Sequence, residues 1–206
     1  MPQFEFGANW EVFIESISEE RIAAAELSLG RMLGSVSVDG ISFLDIGSGS
    51  GLFSLAAHRL GALVHSFDRD SLSVACTKKL YELYASNDSK WTVEEGSILD
   101  SDYLNNLGQF DVVYSWGVLH HTGDMWSALE NAARLTAAGG HLFIALYNDQ
   151  GRASKRWTLI KKVYCSLPRF LKWLVLFPCA IRLWGPTMVR DLIRLRPFQK
   201  IGRAHV

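Results

Sequence analysis

"FLDIGSGSGLFSLAAHRLG", residues 43–61, decides the fold. An apolar run carries an acid, Asp45, near its end, and Gly47, Gly49 and Gly51 follow within five positions. Apolar residues then recur at helical spacing as far as Gly61, a helix stop. The stretch reads as buried strand, tight loop, helix. Working outward, "LVHSFD" (63–68) reads as a second strand, and "DSLSVACTKKLYELYA" (70–85) as a helix capped by Asp70. "WTVEEGSILD" (91–100) holds a third strand and a loop, and "FDVVYSWG" (110–117) is a fourth strand. "DMWSALENAARLTAAGG" (124–140) is expected to be a helix from Asp124 to Gly139, and "HLFIALYND" (141–149) a fifth strand. Upstream, a helix is expected from Trp10 to Leu33, with Ser16 and Glu19 as a capping box.

Strands alternating with helices at this spacing imply an α/β fold, a doubly wound, Rossmann-like and mostly parallel sheet. Continuous apolar strands such as "DVVYSW" and "HLFIAL" suit a sheet covered on both faces. Ligands of such sheets bind beyond the carboxyl ends of the strands. The expected organisation is a helical arm (1–40), a Rossmann-like core (41–150), a basic apolar segment (151–200) and a non-native tail (201–206).

Net charge is zero over 206 residues, but its distribution is uneven. Residues 1–150 hold 8 Lys/Arg and 20 Asp/Glu, whereas residues 151–206 hold 13 Lys/Arg and one acid, Asp191. A basic terminal segment suggests an anionic surface or partner. The three cysteines, Cys76, Cys165 and Cys179, lack metal-ligand spacing, and no His/Cys/Asp cluster suggests a metal site. The odd cysteine count and the lack of a signal peptide point to a cytoplasmic protein.

The spacing of the glycines is GxGxG, not the GxGxxG of dinucleotide enzymes, and alone it also fits a bare strand-to-helix turn. Asp45 adds information. A carboxylate at the end of a buried strand is unfavourable unless something pairs with it. It would repel a pyrophosphate and attract an ammonium group. Asp68 ends the second strand, where an acid can take both ribose hydroxyls, or can cap the next turn. Together the two acids favour a nucleoside joined to a cationic amino acid, a description that fits S-adenosyl-L-methionine.

With those residues in view, the sequence resembles the class I S-adenosylmethionine-dependent methyltransferases from about residue 41 to 147. "FLDIGSGSG" resembles their first motif, "VHSFD" the second, "EEGSILD" the third and "FDVVYSWGVLHHTG" the fourth. "SWGVLHH" is nearest the small-molecule branch that includes ubiquinone-biosynthesis O-methyltransferases. The resemblance implies that Gly47, Ser48, Gly49 and Gly51 let the backbone approach the methionine part, with Asp45 reaching its ammonium group. It implies ribose binding by Asp68, and adenine contacts from Arg69, Ser97 and Ile98. Ser97 stands where the family usually has an acid. Ser115 and Trp116 would face the amino-acid part through their main chain, and Asn9 and Trp10 would cover the site. His120 and His121, after the fourth strand, are the candidate bases for a hydroxyl acceptor, or they serve packing. The expected function is methyl transfer to a small, lipid-like acceptor at oxygen. A nicotinamide-dependent reductase and a non-catalytic cofactor-binding fragment are the alternatives.

From residue 154 the chain is basic and apolar, and Pro168, Pro178, Pro186 and Pro197 are expected to cut it into short helices. Its uncharged run from Trp173 to Ile181 is too short to cross a bilayer. The segment reads as a lid over an apolar acceptor pocket, as a surface facing a membrane, or as core; nucleic acid is not an expected partner. The resembled fold adds two more strands, so truncation is expected. "KIGRAHV" (200–206) reads as a translated sequencing adapter, and the fifth strand would then lie at an open sheet edge.

Overall fold

The computed structural model describes residues 17–34, 36–86, 88–148 and 150–193. The expectations for Asn9, Trp10, Ser16, Pro197 and residues 201–206 lie outside them. The chain divides into two compact units between Tyr147 and Asn148.

In the first unit the elements are α1 (Glu19–Leu33), β1 (Ser42–Ile46), α2 (Leu52–Arg59), β2 (Leu63–Asp68), α3 (Ser71–Tyr84) and β3 (Trp91–Glu95). After them come α4 (Ser101–Asn105), β4 (Phe110–Trp116), a 3-10 turn (Leu119–His121), α5 (Met125–Arg134) and β5 (Thr136–Ala145). The strands form one parallel sheet in the order β3-β2-β1-β4-β5. The reversal of strand order falls between β1 and β4, the switch point at which open α/β sheets bind ligands.

Alternation along β1 divides the core. Phe43 faces a cluster with Ile22 and Leu29 of α1, Leu55 of α2 and Leu80 of α3. Leu44 and Ile46 face a second cluster with Leu104 of α4 and Ala128 and Ala132 of α5. Both faces are therefore covered, as a parallel sheet requires. Arg59 of α2 locks α1 in place through both oxygens of Glu19, at 2.7 and 3.0 Å.

Three local expectations are corrected. Helix α1 starts at Glu19, because Ser18 is extended and its side chain accepts from the Arg21 N–H. Helix α5 ends at Arg134, and Gly139 lies inside β5 rather than capping the helix. Pairing shifts between Phe110↔Thr136 and Val112↔His141, so the residues between form a bulge. Gly140 is needed there, since a Cβ would sit 2.8 Å from the Asp111 carbonyl oxygen. A short helix, α4, follows the loop after β3, nucleated by Asp100, which accepts from the N–H groups of Asp102 and Tyr103.

The third correction lies in the second unit, which comprises α6 (Arg152–Ser166), a 3-10 turn (Arg169–Leu171) and α7 (Trp173–Ile193). Pro168 separates the helices as expected, but α7 runs through Pro178 and Pro186. Each proline removes one helical N–H. The residues four earlier, Leu174 and Arg182, are exposed, so water can serve the carbonyls left over. No helix among the described residues is long and apolar enough to cross a membrane.

The bulge makes a paired prediction. Gly140→Ala should destabilise the protein by about 1–3 kcal/mol through backbone overpacking. Gly30→Ala, in open space within α1, should be neutral or stabilising by up to about 1 kcal/mol. Denaturant midpoints of the two variants check this, and equal effects would contradict it.

Candidate functional site

The carboxyl ends of β1, β2 and β4 define the site. After Ile46 the chain turns through Gly47 and Gly51, both at positive φ (76° and 79°). A Cβ on Gly47 would lie 2.5 Å from a Val118 methyl, and one on Gly51 2.8 Å from Thr77. The loop is held from two sides. Thr77 of α3 lies 3.0 Å from the Ser48 hydroxyl and donates to the Gly49 carbonyl. Four of the loop's amides are bonded within the fold. Those of Gly47 and Ser48 donate to the Phe67 carbonyl, that of Gly49 to Asp68 Oδ2, and that of Gly51 to the Ser48 carbonyl. A pyrophosphate needs such amides free. This loop suits a ligand whose near end is cationic and is met by oxygen.

Asp45 supplies that oxygen. It is 3% exposed, and its Oδ2 accepts from Ser54 of α2. Burial pushes its carboxyl up to about 7, the Ser54 hydroxyl opposing the rise and the Asp68 charge adding to it. Opposite Asp45 on β4 stands Tyr114, whose buried hydroxyl has no hydrogen-bond partner. A buried acid without a cation and an orphaned hydroxyl beside the loop together fit a polar, positively charged ligand group.

Asp68 ends β2. Its two oxygens accept from the Gly49 and Asp70 N–H groups at 3.0 and 2.9 Å, which fixes its plane and leaves lone pairs for ligand hydroxyls. Burial raises its carboxyl above the usual range, against the pull of those amides. Beyond it an open cleft of about 520 Å³ is lined by Arg69, Ser97, Leu99, Asp100, Ser101 and Asp102. The side chain of Ile98 belongs to the core, not to this cleft, and its carbonyl accepts from Asn131. Ser97 Oγ accepts from the Leu99 N–H.

On β4, Ser115 is buried and donates to the Ile46 carbonyl, a tie between β4 and β1. Trp116 is 54% exposed and stacks on Tyr114, with ring centroids 6.0 Å apart. The 3-10 turn after β4 brings His120 and His121 to a ring separation of 4.0 Å. Tyr147, just after β5, packs on both, at 4.2 and 5.5 Å. Both ring nitrogens of His120 are enclosed without a hydrogen-bond partner, and burial and His121 hold its pKa below the usual value. Sequence reasoning missed Ser54, Thr77, Tyr114 and Tyr147. The signal for Tyr147 is its place at the carboxyl end of β5. Among the described residues no group of three or more His, Cys, Asp and Glu could hold a metal ion.

Residues 44–142 match the family model of the methyltransferase domain. The chain carries the domain of the class I S-adenosylmethionine-dependent methyltransferases. Ubiquinone biosynthesis O-methyltransferase of Cronobacter sakazakii is 32% identical over 122 residues, 58% of this chain and 46% of that protein. Its counterpart in Caulobacter vibrioides is 29% identical over 110 residues, 53% of this chain and 42% of that one. The chain thus spans less than half the length of these curated relatives. Magnesium protoporphyrin IX methyltransferase of Synechocystis PCC 6803, solved with bound SAH, shares the fold with a TM-score of 0.58 and 17% identity. That match covers 80% of this chain and 75% of the other. The cofactor of the methyltransferase domain is S-adenosylmethionine, and the cationic end that the loop suits is of the kind that molecule carries.

The buried acid fixes the sign of a pH effect. With its folded pKa above the unfolded value near 3.9, Asp45 binds more protons in the native state. Its contribution is fully present below the unfolded value and is lost as pH rises through about 7. Asp45→Asn should therefore stabilise the protein, without added cofactor, on the order of 2–4 kcal/mol more at pH 8 than at pH 4. Denaturant titrations at the two pH values check this; a pH-independent difference would show that the carboxyl is not desolvated.

Proposed function

We propose that the protein transfers a methyl group from S-adenosylmethionine to a hydroxyl of a small, lipid-like acceptor. The observation that carries this reading is the placing of Asp45 and Asp68 around a glycine loop in which the amides of Gly47, Ser48, Gly49 and Gly51 are already bonded. In this reading Asp45 meets the cofactor's ammonium group, directly or through water. Asp68 takes the ribose hydroxyls with the lone pairs that Gly49 and Asp70 leave. Arg69, Ser97 and the main chain of Ile98 meet the adenine. Gly47, Ser48, Gly49 and Gly51 let the backbone approach the methionine part, flanked by the main chain of Ser115 and Trp116.

When bound, the cofactor supplies a methyl group on a positively charged sulfur. The chain's task is to align the acceptor oxygen behind that methyl, keep water out and remove a proton. Alignment contributes ~7–11 kcal/mol in favourable cases. His120 suits proton removal better than His121. It is held in the neutral, basic form, and neither of its nitrogens spends its lone pair inside the fold. In the reaction His120 would take the proton of the acceptor hydroxyl as that oxygen gains the methyl group. The relatives from ubiquinone biosynthesis are O-methyltransferases, which supports attack at oxygen.

The test uses tritiated S-adenosylmethionine with a set of phenols and long-chain alcohols. His120→Gln should lower turnover by about 10²-fold or more while leaving S-adenosylhomocysteine affinity intact. Asp45→Ala and Asp68→Ala should instead weaken S-adenosylhomocysteine binding. Full turnover in the His120 variant removes the base assignment, and unchanged affinity in both Asp variants removes the cofactor site.

The second unit supports peripheral membrane contact. Leu159 of α6, Phe170 of the turn between the helices, and Trp173, Phe177 and Trp184 of α7 are exposed, and α6 buries no residue. Lys155, Lys161, Lys162, Arg169, Lys172 and Arg182 lie among them. Tryptophan with lysine and arginine on apolar helices suits a bilayer interface. Flotation with phosphatidylglycerol vesicles should recover the protein at low salt and release it at high salt. No binding at low salt would remove the membrane reading.

A further inference from the structure

Register across three strands places polar side chains in one row. Ser66 on β2 pairs with Asp45 on β1, and Asp45 pairs with Tyr114 on β4. The same sheet face is otherwise occupied by Phe43, Val64 and Val112. Helix α2 lays Ser54 over this row, and β3 adds the indole of Trp91. Asp45, Ser54, Ser66 and Trp91 are all buried. Three hydrogen bonds join them. Trp91 Nε1 donates to Ser66 Oγ at 2.9 Å, Ser66 Oγ donates to Ser54 Oγ at 2.8 Å, and Ser54 Oγ donates to Asp45 Oδ2 at 2.5 Å.

The direction of this chain follows from chemistry. An indole nitrogen can only donate, whereas a hydroxyl donates one proton and accepts. Trp91 therefore occupies an acceptor position on Ser66, which turns its own proton to Ser54. Ser54 in turn aims its proton at Asp45 Oδ2. Helical serines commonly bond back to the carbonyl one turn earlier, but this one serves the carboxylate instead. Oδ1 is the oxygen that the chain does not engage.

We propose that Trp91, Ser66 and Ser54 are positioning residues for the cofactor, holding one oxygen of Asp45 so that the other is presented to the cofactor's ammonium group. The proposal rests on the reading of Asp45 as the ammonium partner. The groups around Asp45 are few. Tyr114 faces it from β4, Asp68 acts on it from the end of β2, and Ser54 touches it from α2. His58 packs against Trp91 at 5.7 Å, and its Nε2 is engaged by Asp88. The ion pairs of the described residues do not include Asp45. The Ser54 bond favours the ionised carboxyl, so breaking the chain moves ionisation, and with it ammonium binding, to higher pH.

The experiment compares two ligands by calorimetry between pH 6 and pH 8.5: S-adenosylhomocysteine, and 5′-methylthioadenosine, which has the same nucleoside and thioether without the amino acid. Trp91→Phe keeps an aromatic ring and removes the donor. It should weaken S-adenosylhomocysteine about tenfold near neutral pH and shift its binding profile to higher pH. The affinity for 5′-methylthioadenosine should not change. Ser54→Ala should act in the same direction and more strongly, and Ser66→Ala gives the same split if the Trp91 variant does not fold. Equal weakening of both ligands marks a structural role and overturns the proposal. So does an unchanged S-adenosylhomocysteine profile in these variants when Asp45→Asn has lost that affinity. If Asp45→Asn also leaves the affinity unchanged, the reading of Asp45 itself has failed, and the proposal falls with it.

Discussion

A carboxylate buried in the central strand of a parallel sheet is the constraint around which the first unit is arranged. Asp45 is buried, and among the described residues no ion pair includes it. Such a group lowers stability unless it is neutral or paired. Apolar residues would fill the same space at lower free energy. The proposed cofactor site accounts for its presence: in that reading the glycine loop that follows it lets a ligand's cationic end approach. The four bonded amides of that loop make the same point, since they are already spent on the Phe67 and Ser48 carbonyls and on Asp68.

The surrounding elements read as support for that arrangement. Thr77 braces the loop from α3, and Ser115 ties β4 to the last residue of β1. Two backbone amides hold the plane of Asp68. Each of these contacts comes from an element whose place is fixed by apolar packing on one face of the sheet. The site is therefore as rigid as the core beneath it, which suits a reaction driven by alignment more than by covalent chemistry. The histidine pair, on the turn after β4, and Tyr147, just after β5, pack together beyond the carboxyl ends of those strands.

The strands β1 to β4 and the caps Asp70 and Asp124 are legible because each is a local signal, a period or a capping residue next to its helix. Reading fails where tertiary pairing overrides the local pattern. Residues 136–140 look like a helix end with a glycine stop, but pairing with β4 makes them strand and bulge. Pro178 and Pro186 look like breaks, yet the helix continues through both. The site divides in the same way. Asp45, Asp68 and the glycines announce themselves by spacing. Ser66 in "LVHSFD", Ser54 in α2 and Trp91 in β3 do not, because their meeting depends on register between strands.

The central claim is that Asp45 and Asp68 receive the two ends of an adenosyl amino acid. A crystal structure with S-adenosylhomocysteine bound tests it most directly. The account predicts the ribose hydroxyls on Asp68, the adenine in the cleft beside Arg69 and Ser97, and the ammonium group joined to Asp45 directly or by one water. A ligand lying elsewhere on the sheet, or one whose ammonium group has no connection to Asp45, would contradict it.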